Sequence, residues 1–490
     1  MEKSTPKKTL IKRSGNKIDR NNSRVITRPH IPSDMLRVGK IIDRVANLTE
    51  KKVEELLKDI IENFYGRHKN IKQQLHNHFE KVKEYIPKNI SISEARKELI
   101  GAYFTMEYSI ESAALFNPSI VKHPNQEGLQ NGEMRFIMSL RATGEGHISC
   151  IVFRSGVLKK DGSAIFDTTS EFVGTPDVLL DPTYDNHLFR RKLKDMKSWD
   201  KTSSRIFENL PDNFTNGKLK ARINDLYQDN DFAHNDQTIK NINWLANSNY
   251  TIKFDEHSKI SERVIFPVSE NESRGIEDAR FVEFHEENGE SMYYATYTAY
   301  NNECILPHLL ETKDFIHFNI ITLNGKAVQN KGMALFPRKI NGKYVMLSRL
   351  DGENNHIMFS EHLHFWNESR IIQKPIMPWE FVQIGNCGSP LETSEGWLVL
   401  THGVGAMRQY SIGAVLLDLE NPERIIARLE EPLIIPNEKE REGYVPNVVY
   451  SCGSLIHNNI LVLPYAMSDI SSNIATVKVE KLIARMKAGT

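Results

Sequence analysis

The feature that most constrains this chain is a recurrence. From Arg135 onward one texture returns five times: a short apolar strand ending in polar residues, a turn, and a second strand. The leading strands are RFIMSLRA (135–142), SMYYATYTAY (291–300), KYVMLSRL (343–350), GWLVLTHG (396–403) and NILVLPYA (459–466). Their partners read HISCIVFRSG, ILPHLLETKDFIHF, HIMFSEHLHFW, SIGAVLLDLENP and SNIATVKVEKL. Short runs of this composition, bounded by turn residues, mark strands. One pair of strands cannot bury both of its faces, so such units stack on their neighbours. Five of them at comparable spacing predict small antiparallel sheets repeated about an axis, a mainly β, five-bladed β-propeller. A β-sandwich accommodates the strands but not the polar clusters that return at their ends. A shorter echo supports the repeat: Glu272-x-x-Gly275 and Glu440-x-x-Gly443 stand at matching places before strands.

The flanks differ in texture. Residues 1–32 are polar and basic, and MEKSTPKKTLIKRSGNK lacks the apolar stretch of a secretory signal, so they read as a flexible arm. Over 33–114 the period becomes helical. Val53, Leu56, Leu57, Ile60 and Ile61 form one apolar stripe. A second helix is expected over Ile71–Tyr85, ending near Pro87, and a third from Ser91, with Glu94 completing a capping box. The stripe predicts an N-terminal α-helical region that packs on something, as a cap over a pocket or as a homo-oligomer interface. His76 and His78 lie two apart on this polar surface and read as solvated side chains, not metal ligands. The remainder, 115–490, reads as the propeller, interrupted at about 186–260 by a polar, partly helical insertion.

Bulk composition excludes several partners. Lys+Arg and Asp+Glu are both 63, which gives no pull toward nucleic acid or a membrane surface. Cys150, Cys304, Cys387 and Cys452 form no C-x-x-C pair, so neither a zinc site nor a disulfide framework is expected, and a reducing compartment fits. No apolar run is long enough to span a bilayer. These observations predict a cytoplasmic enzyme. No P-loop, dinucleotide fingerprint, H-E-x-x-H or G-x-S-x-G is present, which removes several common enzyme classes.

In a propeller the polar ends of the strands nearest the axis meet in one pocket. The residues so gathered are Arg141, Asp278, Arg280, Lys331, Arg349, His402 and Asp469. Singly, each reads as a surface charge or a structural histidine. Their recurrence at comparable places points to a pocket for a polar, hydroxyl-rich or anionic ligand. Asp278, in SRGIEDARFVEF, is the candidate acid, since a carboxyl screened from water holds its proton more tightly. Arg280 opposes that rise if it faces Asp278; otherwise it is placed to bind substrate. Inverting cleavage of a glycoside requires a second carboxylate roughly 6.5–9.5 Å away. Glu392, Glu440 and Glu442 are the candidates, and spacing does not choose among them.

Several segments together resemble glycoside hydrolase family 130, the β-mannoside phosphorylases and β-mannosidases. They are GIEDARFVEF with YYATYTAY, ALFPRKINGKYVMLSR (334–349), GWLVLTHGV (396–404), SIGAVLLDLENPERII (411–426) and GYVPNVVYSCG (443–453). The resemblance covers Phe116 to the C-terminal end apart from the insertion, and leaves the helical region outside. It implies a five-bladed propeller and an inverting attack on a terminal β-mannosyl unit, without metal or organic cofactor. Asp278 falls on the aspartate of the family's E-D-x-R motif and resembles the proton donor. In phosphorolytic members the proton passes through a sugar hydroxyl. Asp469, in PYAMSDI, is similar to a late aspartate that contacts sugar hydroxyls. Asn117, in FNPS, and Arg141 match pocket positions of the first blade, and Tyr300 and His402 complete the substrate site. Lys331 and Arg349 match basic positions that would hold inorganic phosphate. The chain departs from the pattern at Ser348, Gly332, Tyr300-Asn301 and GNCGSP (385–390). These departures deplete a phosphate site and favour water as nucleophile, with Glu392 as base. The expectation is therefore an inverting β-mannosidase acting on an oligosaccharide. The alternatives are phosphorolysis to mannose 1-phosphate and a non-catalytic carbohydrate-binding propeller.

Overall fold

The computed structural model describes residues 10–86, 92–179, 181–229, 234–300 and 305–489. Strand predominates, and most of it lies in five antiparallel sheets that follow one another along the chain. The first contains Ala114–Lys122, Met134–Thr143, Ser149–Leu158 and Val264–Ile265. The second contains Ile276–His285, Ser291–Tyr300, Ile305–Thr312 and His317–Thr322, extended by Tyr250–Lys253 and Asp177–Leu179. Lys331–Leu335, Tyr344–Arg349, Asn355–Ser360 and Arg370–Gln373 make the third. The fourth is Gln383–Asn386, Gly396–Val404, Tyr410–Leu417 and Ile425–Arg428. Val449–Tyr450, Ile460–Met467 and Ser471–Lys478 form the fifth, joined by Lys12–Arg13. The strand expected to lead each unit is thus the second of its sheet. The end of the last partner, VKVEKL, turns at Val479 into a helix.

Each pair of consecutive sheets shares a core. Ile137 and Phe153 meet Phe281 and Phe318 between the first and second. Phe284 and Tyr294 meet Met346 and Trp366 between the second and third. Phe336 and Val345 meet Trp397 and Val415 between the third and fourth. Leu398 and Ile412 meet Leu461 and Tyr465 between the fourth and fifth. Val462 and Ile474 of the fifth then meet Phe136 and Leu140 of the first, so the series of contacts returns to its start.

The glutamate echo has a structural cause. Glu272 is fully buried and accepts hydrogen bonds from the amides of Val268 and Ser269 and from the Tyr297 hydroxyl at 2.6 Å. Glu440 repeats the arrangement with the Asn437 amide and the Tyr465 hydroxyl, also at 2.6 Å. A third copy, not visible as E-x-x-G, is Glu380 with the amides of Ile376 and Met377. Each carboxylate satisfies donors of the turn that feeds the first strand of its sheet. Glu440 is therefore a structural group and not a second catalytic carboxylate.

The expected flexible arm is corrected from residue 10 onward; residues 1–9 lie outside the described set. Lys12–Arg13 pairs antiparallel with Ala475 and Thr476, and Ile18 and Ser472 exchange backbone hydrogen bonds of 2.8 and 3.0 Å. Without this segment, Ser471–Lys478 would present an open edge, which is costly for a buried strand. Val25–Pro29 pairs with Thr105–Ser109 in a separate two-stranded sheet, whose Ile26 and Tyr108 pack into the core of the first sheet. Four helices lie between these strands: α1 (Met35–Ala46), α2 (Glu50–Phe64), α3 (Ile71–Glu80) and α4 (Glu94–Tyr103). Thr49 and Ser93 cap α2 and α4; Pro87 and Ser91 lie outside the described residues. His78 is not solvated: it is buried, with Nδ1 2.6 Å from the Thr105 hydroxyl, and burial lowers its pKa to about 4. Within 186–260, helices α5 (Asn186–Asp195), α6 (Lys201–Phe207), α7 (Asn216–Tyr227) and α8 (Asp236–Asn247) surround a separate aromatic core of Tyr184, Phe189, Phe207 and Phe214. A last helix, α9 (Val479–Ala488), packs through Leu482 and Met486 against the fourth and fifth sheets. None of the described helices is long and apolar enough to cross a membrane.

A buried ion triad locks the arm. Glu111 Oε1 lies 2.9 Å from Arg24 Nε and 2.8 Å from Arg154 Nη2, with Glu111 and Arg24 fully out of solvent. Arg24 also donates to the carbonyl of Ser261 at 2.6 Å. Removing the carboxylate strands two guanidinium groups, a loss of about 3–5 kcal/mol. Glu111→Gln should therefore lower unfolding free energy by that amount in urea titration; a change under about 1 kcal/mol would contradict a paired, desolvated triad.

Candidate active site

The site is built on a repeated irregularity. The first strands of three sheets break register at the same place: between Phe116 and Ser119, Glu277 and Arg280, and Lys331 and Ala334. Each bulge opens with a residue at positive φ: Asn117 at 49°, Asp278 at 57° and Gly332 at 81°. A bulge re-aims a side chain, and a non-glycine residue held there stores strain of about 1–3 kcal/mol. Asn117 and Asp278 face each other, and Asn117 Nδ2 donates to Asp278 Oδ1 at 2.6 Å. The third bulge carries no side chain, which leaves room beside Arg349: a Cβ at Gly332 would lie 3.5 Å from that of Arg349.

Cations converge on this pair from neighbouring strands. Arg141 Nη2 donates to Glu277 Oε1 at 2.7 Å, its Nη1 is 3.6 Å from Asp278 Oδ1, and its guanidinium covers the Phe116 ring. Lys331 Nζ donates to Glu277 Oε2 at 2.6 Å. Arg280 Nη2 donates to the Tyr450 hydroxyl at 2.6 Å, while its Nη1 is buried and has no partner among the described residues. Arg349 Nη1 lies 3.3 Å from His402 Nε2. His402 Nδ1 donates to the Asn386 carbonyl at 3.1 Å, which fixes the tautomer and leaves Nε2 to accept from Arg349.

Burial raises the Asp278 pKa, but Arg141, Arg280, Lys331 and the Asn117 amide outweigh it and hold the carboxyl below its ordinary value. Asp469 goes the other way: burial and then the charge of Asp278 raise it to about 6, against the opposing pull of Arg141 and Arg408. Burial, then Arg349 and Arg280, keep His402 neutral. Arg141 has its pKa raised because Glu277, Asp278 and Asp469 outweigh desolvation. Four cations thus face Glu277, Asp278 and Asp469, with Asp278 held below its ordinary value and Asp469 raised to about 6.

The structure brings together Asn117, Arg141, Asp278, Arg280, Lys331, Arg349, His402 and Asp469. Tyr300 stands at the end of its strand, bonded through its backbone to Gly275, with a half-exposed side chain. Glu392 is a correction. It pairs in register with Trp397, five residues along the strand from His402, or about 17 Å at 3.4 Å per residue. There it forms a two-pronged ion pair with Arg338 at 2.7 and 2.9 Å, at the far end of the fourth sheet. Sequence reasoning missed Glu277, Asn386 and Tyr450. Aligning the first strands would have found them, since Glu277-Asp278, Asn386-Cys387 and Tyr450-Ser451 occupy the level of Phe116-Asn117. Cavities elsewhere, including one of about 460 Å³ between α5 and the second sheet, lack this convergence of buried charges. Among the described residues no cluster of three or more His, Cys, Asp or Glu is placed to hold a metal ion.

A family model described as beta-1,4-mannooligosaccharide phosphorylase, that of glycoside hydrolase family 130, matches residues 215–488, more than half of the chain. The chain belongs to glycoside hydrolase family 130. It is an enzyme acting on β-mannosides, as a glycoside hydrolase or a glycoside phosphorylase. A 1,2-beta-oligomannan phosphorylase of Thermoanaerobacter is 34% identical over 249 residues, which is 49% of this chain and 81% of that protein. A beta-1,2-mannobiose phosphorylase of Listeria innocua is 29% identical over 48% of this chain and 67% of its own length. The solved structure of beta-1,2-mannobiose phosphorylase from Listeria innocua with beta-1,2-mannobiose aligns over 78% of this chain and 93% of that one, with 22% identity and a TM-score of 0.45. The family match leaves out the first three strands of the first sheet, yet Asn117 and Arg141 of those strands touch the family motif at Asp278 and Glu277.

Asp469 gives the site a pH signature. With its folded pKa near 6 and an ordinary value of 3.8, the folded state holds the proton more tightly. Its stabilising contribution is present below about pH 4 and is lost as pH rises through about 6. Asp469→Asn should therefore gain stability relative to the parent between those limits, read as a rising difference in urea midpoint. A difference that stays flat across the window would contradict the raised value.

Proposed function

We propose that this enzyme cleaves terminal β-mannosides by phosphorolysis, releasing mannose 1-phosphate, in a five-bladed propeller that spans 115–490 with the helical insertion at about 186–260. The observation that carries the reading is the excess of fixed cations: among the described residues, the Arg349 guanidinium meets only the neutral His402, and Arg280 Nη1 is buried without a partner. Phosphate carries the charge such a set requires, whereas water does not. The two relatives matched by sequence above are both named phosphorylases, which supports the same nucleophile. The hydrolytic alternative loses the base favoured for it, because Glu392 is committed to Arg338 away from the site. The propeller reading is supported by the five shared cores that run from sheet to sheet and back to the first.

In this reading Asp278 is the acid and Asn117 orients it. Phosphate enters among Arg280, Lys331 and Arg349 and cancels the field that holds Asp278 low, so the carboxyl takes up a proton as the nucleophile binds. A phosphate oxygen then attacks the anomeric carbon from the face opposite the leaving group. The C–O bond to the rest of the sugar chain breaks, and the proton from Asp278 reaches that oxygen, directly or through a sugar hydroxyl. Inversion of a β-mannoside gives the α-configured phosphate ester. Asp469 and His402 serve the sugar hydroxyls.

Incubation with β-1,2- and β-1,4-mannobiose should yield mannose 1-phosphate only when phosphate is present. Free mannose released equally well without phosphate would sink the proposal and restore hydrolysis. Asp278→Asn should lower kcat by about 10²–10⁴ while sugar binding persists, the loss expected of a general acid. A protein that binds the sugar and never turns it over would be the non-catalytic propeller. Arg349→Ala should raise the KM for phosphate at least about tenfold and leave that for the sugar near its parent value, the pattern of a removed charged contact to one substrate.

A further inference from the structure

The left-handed backbone of Asp278 persists only if the surrounding structure holds its strand firmly. The entry to that strand is gripped from two sides. On one side is the Glu272 turn, whose carbonyl accepts from Gly275 N at 2.6 Å. On the other is the first sheet, where the buried Ser149 hydroxyl donates to the Ile276 carbonyl at 3.0 Å. Ser149 and Gly275 also form a parallel backbone bridge, with Gly275 at a φ of 121°. A Cβ at Gly275 would stand 2.6 Å from Ser149 Oγ, so only glycine allows so close an approach. The Ile276 carbonyl belongs to the peptide that leads into Glu277, at the foot of the bulge that carries Asp278.

Ser149 is held in turn by the N-terminal region. It opens the third strand of its sheet, directly after the tight turn 144–148, where Gly144 N donates to the Ile148 carbonyl at 3.2 Å. Tyr108, from the strand Thr105–Ser109, lies across this turn. Its buried hydroxyl is 2.9 Å from the Glu145 carbonyl and 3.0 Å from that of Ile148, and its proton is shared between them. The Ile148 carbonyl is part of the peptide bond that joins Ile148 to Ser149. The tyrosine ring is itself fixed, edge-on to Phe266 at 5.4 Å, with the Arg28 guanidinium 5.1 Å from its centroid. An unbroken series of contacts therefore runs from Tyr108 through the peptide of Ser149 to the bulge of the acid.

Resting on the reading of Asp278 as the acid, whichever nucleophile it serves, we infer that Ser149 and Tyr108 are positioning residues for that carboxyl. The N-terminal region, which lies outside the family match, is then a working part of the active site. This role differs from that of a cap over the pocket or a subunit interface, neither of which needs contact with the acid's strand. Without the Ser149 hydroxyl the Ile276 carbonyl loses a donor, the bulge relaxes, and Asp278 moves off Asn117. A displacement of about 1 Å at a reacting group can cost about a hundredfold in rate.

The test measures Ser149→Ala and Tyr108→Phe, both of which remove one hydroxyl and keep the surrounding packing. On β-mannobiose, Ser149→Ala should lower kcat about ten- to a hundredfold, with KM for either substrate within about twofold. Tyr108→Phe, one contact further out, should show the same split with a kcat loss of at least about threefold. On 4-nitrophenyl β-mannoside, whose leaving group departs without a proton, both losses should shrink to within about twofold. Equal losses on the two substrates would mark a general structural defect and overturn the inference. Parent-like kcat in either variant on the disaccharide, while Asp278→Asn is impaired, would overturn it alone. Parent-like kcat in Asp278→Asn would overturn both the acid and its positioning. Crystal structures of the two variants need no turnover: Asp278 displaced from Asn117 supports the inference, and a carboxyl unmoved in both overturns it.

Discussion

Glu277 is the contact on which the site depends. Its two oxygens take Arg141 from the first sheet and Lys331 from the third, so one carboxylate of the second sheet joins three sheets. An ion pair exposed to water would contribute little. Here the groups are largely buried, and each charge is tolerable only because the others are in place. The same bonds hold Arg141 against Asp278, and Asn117 closes the arrangement from the opposite bulge. Geometry and electrostatics are therefore one property: the contacts that fasten the sheets also set the proton affinity of the acid.

The architecture was legible in the sequence to the extent that it is periodic. The second strands of the sheets were found because each is a long apolar run ending in polar residues. Their first strands were partly overlooked because a bulge interrupts their alternation after two or three residues, as at Phe116 and Glu277. Asp278, Arg280 and Arg349 were found through motif and strand-end position. Glu277 stands in the same motif, but nothing local distinguishes a carboxylate that binds two cations from one facing water.

Two errors have a common origin. Glu392 sits close in sequence to His402, but the turn between them places it at the wrong end of a strand, and spacing does not say which end of a strand faces the ligand. The basic arm looked unstructured because its pairing segment, Lys12–Arg13, is two residues long and charged. Its partner lies more than 450 residues away, at Ala475 and Thr476, where no local pattern can announce it. In both cases the deciding interaction is nonlocal.

The pairing of Lys12–Arg13 with Ser471–Lys478 also bears on how the molecule forms. Four sheets are assembled mainly from strands that are near neighbours in the chain, and each can zip up from short hairpins. The fifth lacks its outer strand until segments more than 450 residues apart meet, and closing a loop of that length carries a large entropic cost. During synthesis the strand at Lys12 waits, unpaired, until Ser471–Lys478 has emerged. Covering that edge is then the step at which the fifth sheet becomes complete.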